Sequence, residues 1–135
     1  MRGTDFKWLD AVQLFASILK VQDPLAQLDK VRYFSAPALG RFASHGNESS
    51  QAQDTYHRAL LAKHGDMLQL KLGIHSYDRP GVNMPMCVEG EPYDRKKTSR
   101  VWHLVEKKTD TNLALAMYRD ACAGRFEQIV LCSND

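Results

Sequence analysis

The 135-residue sequence has few cysteines and no long apolar run, and each shortage excludes a class of protein. Its three cysteines are odd in number and lack CxxC spacing, so we expect neither a disulfide framework nor a structural zinc site. No apolar run approaches the roughly 20 residues that a membrane span needs, and the start of the chain lacks the apolar core of a signal peptide. We therefore expect a cytoplasmic protein without a membrane partner.

An excess of charge of one sign is also missing. Eighteen Lys and Arg residues are nearly balanced by sixteen Asp and Glu residues, which leaves a net charge of +2. This balance excludes a polycationic nucleic-acid-binding tail but permits a local basic patch. The length and the 44% hydrophobic content are typical of one globular domain, here residues 1–135.

Apolar periodicity predicts helices and strands that alternate along the chain. Helices are predicted over 11–20 with Asp10 as the N-cap, over 48–64, and from Thr109 to a stop at Gly124. Strands are predicted over 30–35, 67–73, 101–105 and 129–132, the last of them buried on both faces. This alternation predicts an α/β layered fold with a mostly parallel sheet.

Residues 74–100 have no clear periodicity and are predicted to form one long basic loop, which in a compact domain is usually functional or mobile. Basic side chains in this loop and beside Asp110 fit a phosphate backbone, although a solvated charge run is an equal alternative. They are Arg95, Lys96, Lys97, Arg100, Lys107 and Lys108. Tyr77, Tyr93 and Trp102 are candidates for stacking on single-stranded bases, with Trp102 expected in the core.

Two carboxylates follow predicted parallel strands. Asp110 comes after the strand 101–105 and Asp135 after the strand 129–132. Because ligands of open α/β sheets bind at the carboxyl ends of the strands, both acids are candidate ligands for Mg²⁺ or Mn²⁺. The alternative is that Asp110 only stabilises the start of a helix and that Asp135 is a frayed terminus.

The histidines and cysteines indicate no further chemistry. None of the five histidines has the spacing of a metal motif, and His57 and His64 are expected to be exposed or partly buried. Cys122 and Cys132 are expected to be small buried hydrophobes.

The runs 105–115 (VEKKTDTNLAL) and 129–135 (IVLCSND), with residues 119–121 and 124–126 between them, resemble the NYN domain of the PIN-like nuclease superfamily. The resemblance implies a PIN-like, Rossmann-like three-layer fold and a divalent-metal-dependent ribonuclease. It implies that Asp110 and Asp135 bind the metal and that Glu106 supports them. Ser133 and Asn134 match the turn that presents Asp135, and Asn112 lies in the matching start of the helix.

Two parts of the family pattern are missing. The family begins with a strand ending in Asp-Gly-x-Asn and closes with Ser-Asp-Phe after the last acid, and neither occurs here. We therefore expect an incomplete NYN domain that lacks its first strand and its C-terminal part. Such a chain would be weakly active or inactive, and would fold poorly or form a homodimer through exposed sheet edges. The alternative function is a catalytically inactive RNA-binding or protein-interaction module.

Overall fold

Three α-helices and six short strands make up the part of the chain that the computed structural model describes, residues 8–77 and 80–133. The helices are α1 (Ala11–Gln22), α2 (Asn47–His64) and α3 (Thr109–Cys122). The strands are β1 (Val31–Ser35), β2 (Leu68–Leu72), β3 (Ile74–Tyr77), β4 (Val82–Pro85), β5 (Thr98–Val101) and β6 (Leu104–Lys107). A short 3-10 helix over Gly65–Met67 connects α2 to β2. This mixture of helices and short strands is compatible with the predicted α/β class.

The three helices lie where local sequence signals predict them. The Asp10 side chain accepts a hydrogen bond from the Gln13 N–H at 3.1 Å and so caps α1. Gly65 ends α2 with a φ of +51°, and Gly124 follows α3 with a φ of +56°. Glycine adopts this left-handed region at little cost, which is why both stops could be predicted from the sequence.

One pair of strands is parallel. Val31 of β1 lies opposite Leu68 of β2, and the register continues to Ser35 opposite Leu72. The Gly73 N–H extends this ladder by donating to the Ser35 carbonyl at 2.7 Å.

Helices cover both faces of the β1–β2 pair because side chains alternate along each strand. On one face, Val31 and Leu68 form a buried core with Val12 of α1 and Leu60 of α2. The opposite face carries Arg32, whose guanidinium donates to the Ala116 carbonyl of α3 at 3.4 Å.

Residues 74–77 and 80–107 form a long, interrupted hairpin, which we call the arm. β3 pairs antiparallel with β6, and β4 pairs antiparallel with β5 inside them. The prediction of a single loop over 74–100 is therefore wrong. Over 74–77 and 80–107 no helix lies between these strands, and strands without a long crossover fold back antiparallel. For the same reason the prediction of a mostly parallel sheet is wrong, since among the described strands only β1 and β2 run parallel.

The prediction of a buried parallel strand over 129–132 is also wrong. This run is not a strand, and Val130 and Leu131 are 72% and 52% exposed. Its expected neighbour, the strand predicted over 101–105, is divided between β5 and β6 and lies in the antiparallel arm. An apolar run without a strand beside it has no backbone ladder to join.

Several side chains differ from their predicted burial. Trp102 lies between β5 and β6 and is 62% exposed, so it is not a core residue. Cys122 and Cys132 are both exposed. Cys122 lies at the end of α3 on the side away from the sheet, and Cys132 lies in the run where the expected strand does not form. His57 is buried against the Tyr33 ring, whereas His64 is partly buried as expected. None of the described helices combines the length and apolar character that crossing a bilayer takes.

An acid at the start of α1 ties that helix to the end of α2. The Asp10 carboxylate lies 2.8 Å from the His64 ring nitrogen Nε2 and 2.9 Å from the Lys63 ammonium. Burial raises the pKa of Asp10, but the hydrogen bonds from Lys63 and His64 outweigh burial. They hold the net pKa of this carboxyl well below its usual range.

This pKa predicts how stability depends on pH. A carboxylate with a lowered pKa stabilises the fold above its unfolded pKa of about 3.9, and this contribution is lost as the pH falls. We expect Asp10→Asn to lower the free energy of unfolding by roughly 1–2 kcal/mol at pH 7, and the difference from wild type to shrink as the pH falls from about 5 toward the lowered pKa of the folded protein. Urea unfolding of both proteins at several pH values measures this difference in the free energy of unfolding.

The matched control is Asp29→Asn, which removes an exposed carboxylate from the segment before β1. This control should stay within about 0.5 kcal/mol of wild type at every pH. If Asp10→Asn had the same stability as this control at every pH, the Asp10 carboxylate would not stabilise the contact between α1 and α2.

Candidate functional site

The start of α3 lies against the carboxyl edge of the parallel β1–β2 pair. β1 ends at Ser35, β2 ends at Leu72, and Gly73 follows directly. Gly73 is buried against the turn between β6 and α3, where a Cβ atom on it would lie 2.8 Å from the Lys107 carbonyl oxygen and closer still to the Thr109 hydroxyl. Only a residue without a side chain lets this edge and α3 approach so closely.

Asp110 is an exposed residue in the first turn of α3. It does not cap the helix, because the cap position belongs to Lys108 and no side chain there makes a capping bond. A negative charge in the first turn is favoured by the helix dipole. The position therefore fits both predicted roles of Asp110: an acid that stabilises the helix and a carboxylate at the edge where α/β sheets bind ligands.

The backbone next to Asp110 is strained. Lys108 has a φ of +75° and is the only non-glycine residue with a positive φ among those the structure describes. For a residue with a Cβ atom this conformation costs about 1–2 kcal/mol. Strain of this kind clusters at functional sites, where the surrounding structure holds it in place.

The other predicted site residues near Asp110 lie on β6, in the turn that follows it, or in α3. Glu106 is exposed on β6, opposite His75 of β3. Asn112 is half-buried in α3, and its N–H donates to the Lys108 carbonyl at 2.8 Å. Lys107 ends β6 and is exposed, as is Lys108.

The second predicted metal ligand cannot be placed in this site. Asn134 and Asp135 lie outside the described residues, while Ser133 is described and exposed. Over residues 8–77 and 80–133, no group of three or more His, Cys, Asp or Glu side chains is arranged to hold a metal ion. The pairing of Asp110 with Asp135 stays a prediction.

The basic residues fall into two groups on different elements. Lys107 and Lys108 lie beside Asp110, whereas Arg95, Lys96, Lys97 and Arg100 lie at the far end of the arm. There the Asp94 side chain accepts a hydrogen bond from the Lys96 N–H at 2.8 Å, and Lys97 forms an ion pair with Glu91. Arg100 is exposed on β5 opposite Asn83.

A buried ion-pair network on α3 was missed from the sequence. Asp120 is 5% exposed and accepts hydrogen bonds from Arg32 of β1 at 2.9 Å and from Arg125 at 3.0 Å. The signal was present, because Asp120 follows Leu113, Ala116 and Met117 at helical spacing and so falls on the buried stripe. A charge on a buried stripe needs a partner from another element.

Comparison with known proteins shows that the chain is similar in sequence to a bacterial enzyme. No family model and no solved structure matches the chain. Over its whole length the chain is 30% identical to 6-hydroxy-3-succinoylpyridine 3-monooxygenase HspA of Pseudomonas putida, in an alignment of 149 positions. The chain spans 47% of the length of that relative.

The contact between Gly73 and Thr109 gives a test of the site's geometry. We expect Gly73→Ala to destabilise the protein by about 1–3 kcal/mol, because the new methyl group overlaps the Thr109 hydroxyl and the Lys107 carbonyl. Thr109→Ala should change stability by less than about 1 kcal/mol, since none of the described residues bonds its buried hydroxyl. Urea unfolding measures both.

The double variant is the control. Removing the Thr109 hydroxyl relieves part of the overlap, so the double variant should be more stable than Gly73→Ala alone. Strictly additive losses would show that Gly73 and Thr109 do not touch.

Proposed function

We propose that this chain is part of a divalent-metal-dependent ribonuclease of the NYN type that hydrolyses phosphodiester bonds in single-stranded RNA. The observation that carries the proposal is the position of Asp110, in the first turn of α3 at the carboxyl edge of the parallel β1–β2 pair. The family resemblance names the same residue as a metal ligand. Position and resemblance are independent reasons to assign it to the site.

The donor atoms present at this edge suit Mg²⁺ or Mn²⁺. Both ions prefer carboxylate oxygens and retained waters, and Asp110 offers an exposed carboxylate without a capping bond. Asp110 and Asp135 would hold the ion, with Glu106 in support. When bound, such an ion supplies an activated water and offsets the charge that develops on the phosphate oxygens.

The chain's own residues supply attraction and orientation for RNA. Lys107 and Lys108, both exposed beside Asp110, attract the phosphate backbone toward that carboxylate. Along the arm, Trp102 is 62% exposed and packs edge-on against Tyr77, with the two ring centroids 5.5 Å apart. Tyr93 is 77% exposed. Exposed aromatic rings near basic side chains are typical of surfaces that stack the bases of single strands.

The experiment is cleavage of single-stranded RNA by the purified protein with Mg²⁺ or Mn²⁺. We expect Asp110→Asn to reduce cleavage by at least about 100-fold, because losing a charged metal ligand costs more than the 10–100-fold typical of its outer partners. The matched control is Asp66→Asn, an exposed acid just before β2, at the opposite edge of the sheet. This control should cleave like wild type.

Two results would contradict the proposal, the first in the role of Asp110 and the second in the activity itself. Cleavage that is equal in both variants would remove Asp110 from the mechanism. RNA binding that survives EDTA, without cleavage by any variant, would instead favour a catalytically inactive RNA-binding module.

A second function is favoured by the 30% identity over the whole chain to a monooxygenase. We propose as the alternative that the chain is part of a monooxygenase for a hydroxylated, succinoyl-substituted pyridine. Consumption of O₂ that depends on 6-hydroxy-3-succinoylpyridine and a reductant, with RNA left intact, would favour this alternative.

A further inference from the structure

A cavity of about 150 Å³ lies between α3 and the sheet face that α3 covers. Four cationic side chains line it: Arg32, Lys71, Arg119 and Arg125. Gln69 adds an amide, and the Phe34 ring is among the apolar groups of the lining. This cavity is distinct from the carboxyl edge where Asp110 lies.

The convergence of the cations follows from the register of the sheet. Arg32 of β1 is paired with Gln69 of β2, and Phe34 with Lys71. These positions alternate with the core residues, so all four side chains point to the α3 face. Arg119 approaches from the last turn of α3, and Arg125 comes just after the turn at Gly124.

The positive charge around the cavity is only partly balanced. Asp120 is buried beside it and is engaged by Arg32 and Arg125. Lys71 and Arg119 are both exposed and add two further cations. Like charges gathered around a concave surface raise the local potential and favour an anion there.

Arg32 also has an unused donor. Its two terminal nitrogens bond to Asp120 and to the Ala116 carbonyl, but its Nε–H is buried and has no partner among the described residues. A buried donor without an acceptor is costly, so an acceptor within reach of this Nε–H would recover the lost bond.

We propose that this cavity binds a small oxyanion of the phosphate class. A cavity of this volume accommodates a ligand of about six heavy atoms, which is close to the size of a phosphate group. Phosphate offers several acceptor oxygens, and arginine binds such groups through two parallel hydrogen bonds. The inference does not depend on the ribonuclease proposal, because it uses none of the residues assigned to that site.

The test is calorimetric titration of the protein with inorganic phosphate, compared with chloride at matched ionic strength. We expect saturable binding of phosphate that weakens at least about 10-fold in Lys71→Gln/Arg119→Gln, since two charge-assisted hydrogen bonds are lost. These positions are exposed and lie outside the Asp120 network, so the fold should be retained. Lys20→Gln removes an exposed cation from α1 and should bind like wild type.

Competition distinguishes the two sources of a phosphate group. Displacement of inorganic phosphate by a 5′-phosphorylated oligonucleotide, but not by the same oligonucleotide without its phosphate, supports a site for a nucleic-acid end. Displacement by neither supports a site for free phosphate.

Two results would overturn the proposal: no saturable binding beyond that of chloride, or equal phosphate affinity in wild type and the double variant. Asp110→Asn should bind phosphate like wild type, so loss of RNA cleavage and loss of this site are separate outcomes.

Discussion

The buried Asp120 carboxylate determines how α3 lies on the sheet. It is held by Arg32 of β1 and by Arg125, and it is 5% exposed. A buried charge that loses its partner costs about 3–5 kcal/mol, so α3 has to keep Asp120 over Arg32. The replacement of such a network by apolar residues is often neutral in stability. We therefore attribute to it the choice of one orientation for α3 rather than a large net stabilisation.

Because the rise per residue of a helix and of a strand is fixed, the position of Asp120 over Arg32 also determines where Asp110 lies. Asp110 precedes Asp120 by ten residues, which is about 15 Å along a helix. From Arg32 to the end of β1 at Ser35 is only about 10 Å along the strand. A helix that runs back along β1 with Asp120 fixed over Arg32 thus brings Asp110 just beyond the carboxyl edge. The close contact of Gly73 with the turn before α3 agrees with this placement.

Elements defined by local signals could be predicted from the sequence, and elements that need a distant partner could not. Asp10, Gly65 and Gly124 mark helix ends through their own chemistry, so α1, α2 and α3 were predicted close to their observed limits. The apolar run 129–132 was assigned burial that depends on a neighbouring strand, and that neighbour lies in the arm. β5 was missed because all four of its residues are exposed, which leaves no alternation of apolar and polar side chains to detect.

The same distinction applies to the functional residues. Asp110 was identified through its place after a predicted strand and before a predicted helix, both local features. The helical spacing of Asp120 signalled its burial, but its role depends on Arg32, which lies 88 residues earlier in the chain and could not be identified as its partner from the sequence.

The most direct test of this account is NMR with trace Mn²⁺, which broadens the signals of nuclei near the bound ion. We predict that the amide signals of Ser35, Gly73 and Asp110 broaden first. The signals of Leu68, at the start of β2, and of Asp120, toward the end of α3, should stay sharp. Broadening centred on the acids at the far end of the arm, Glu91 and Asp94, with Asp110 unaffected, would contradict a metal site at the carboxyl edge.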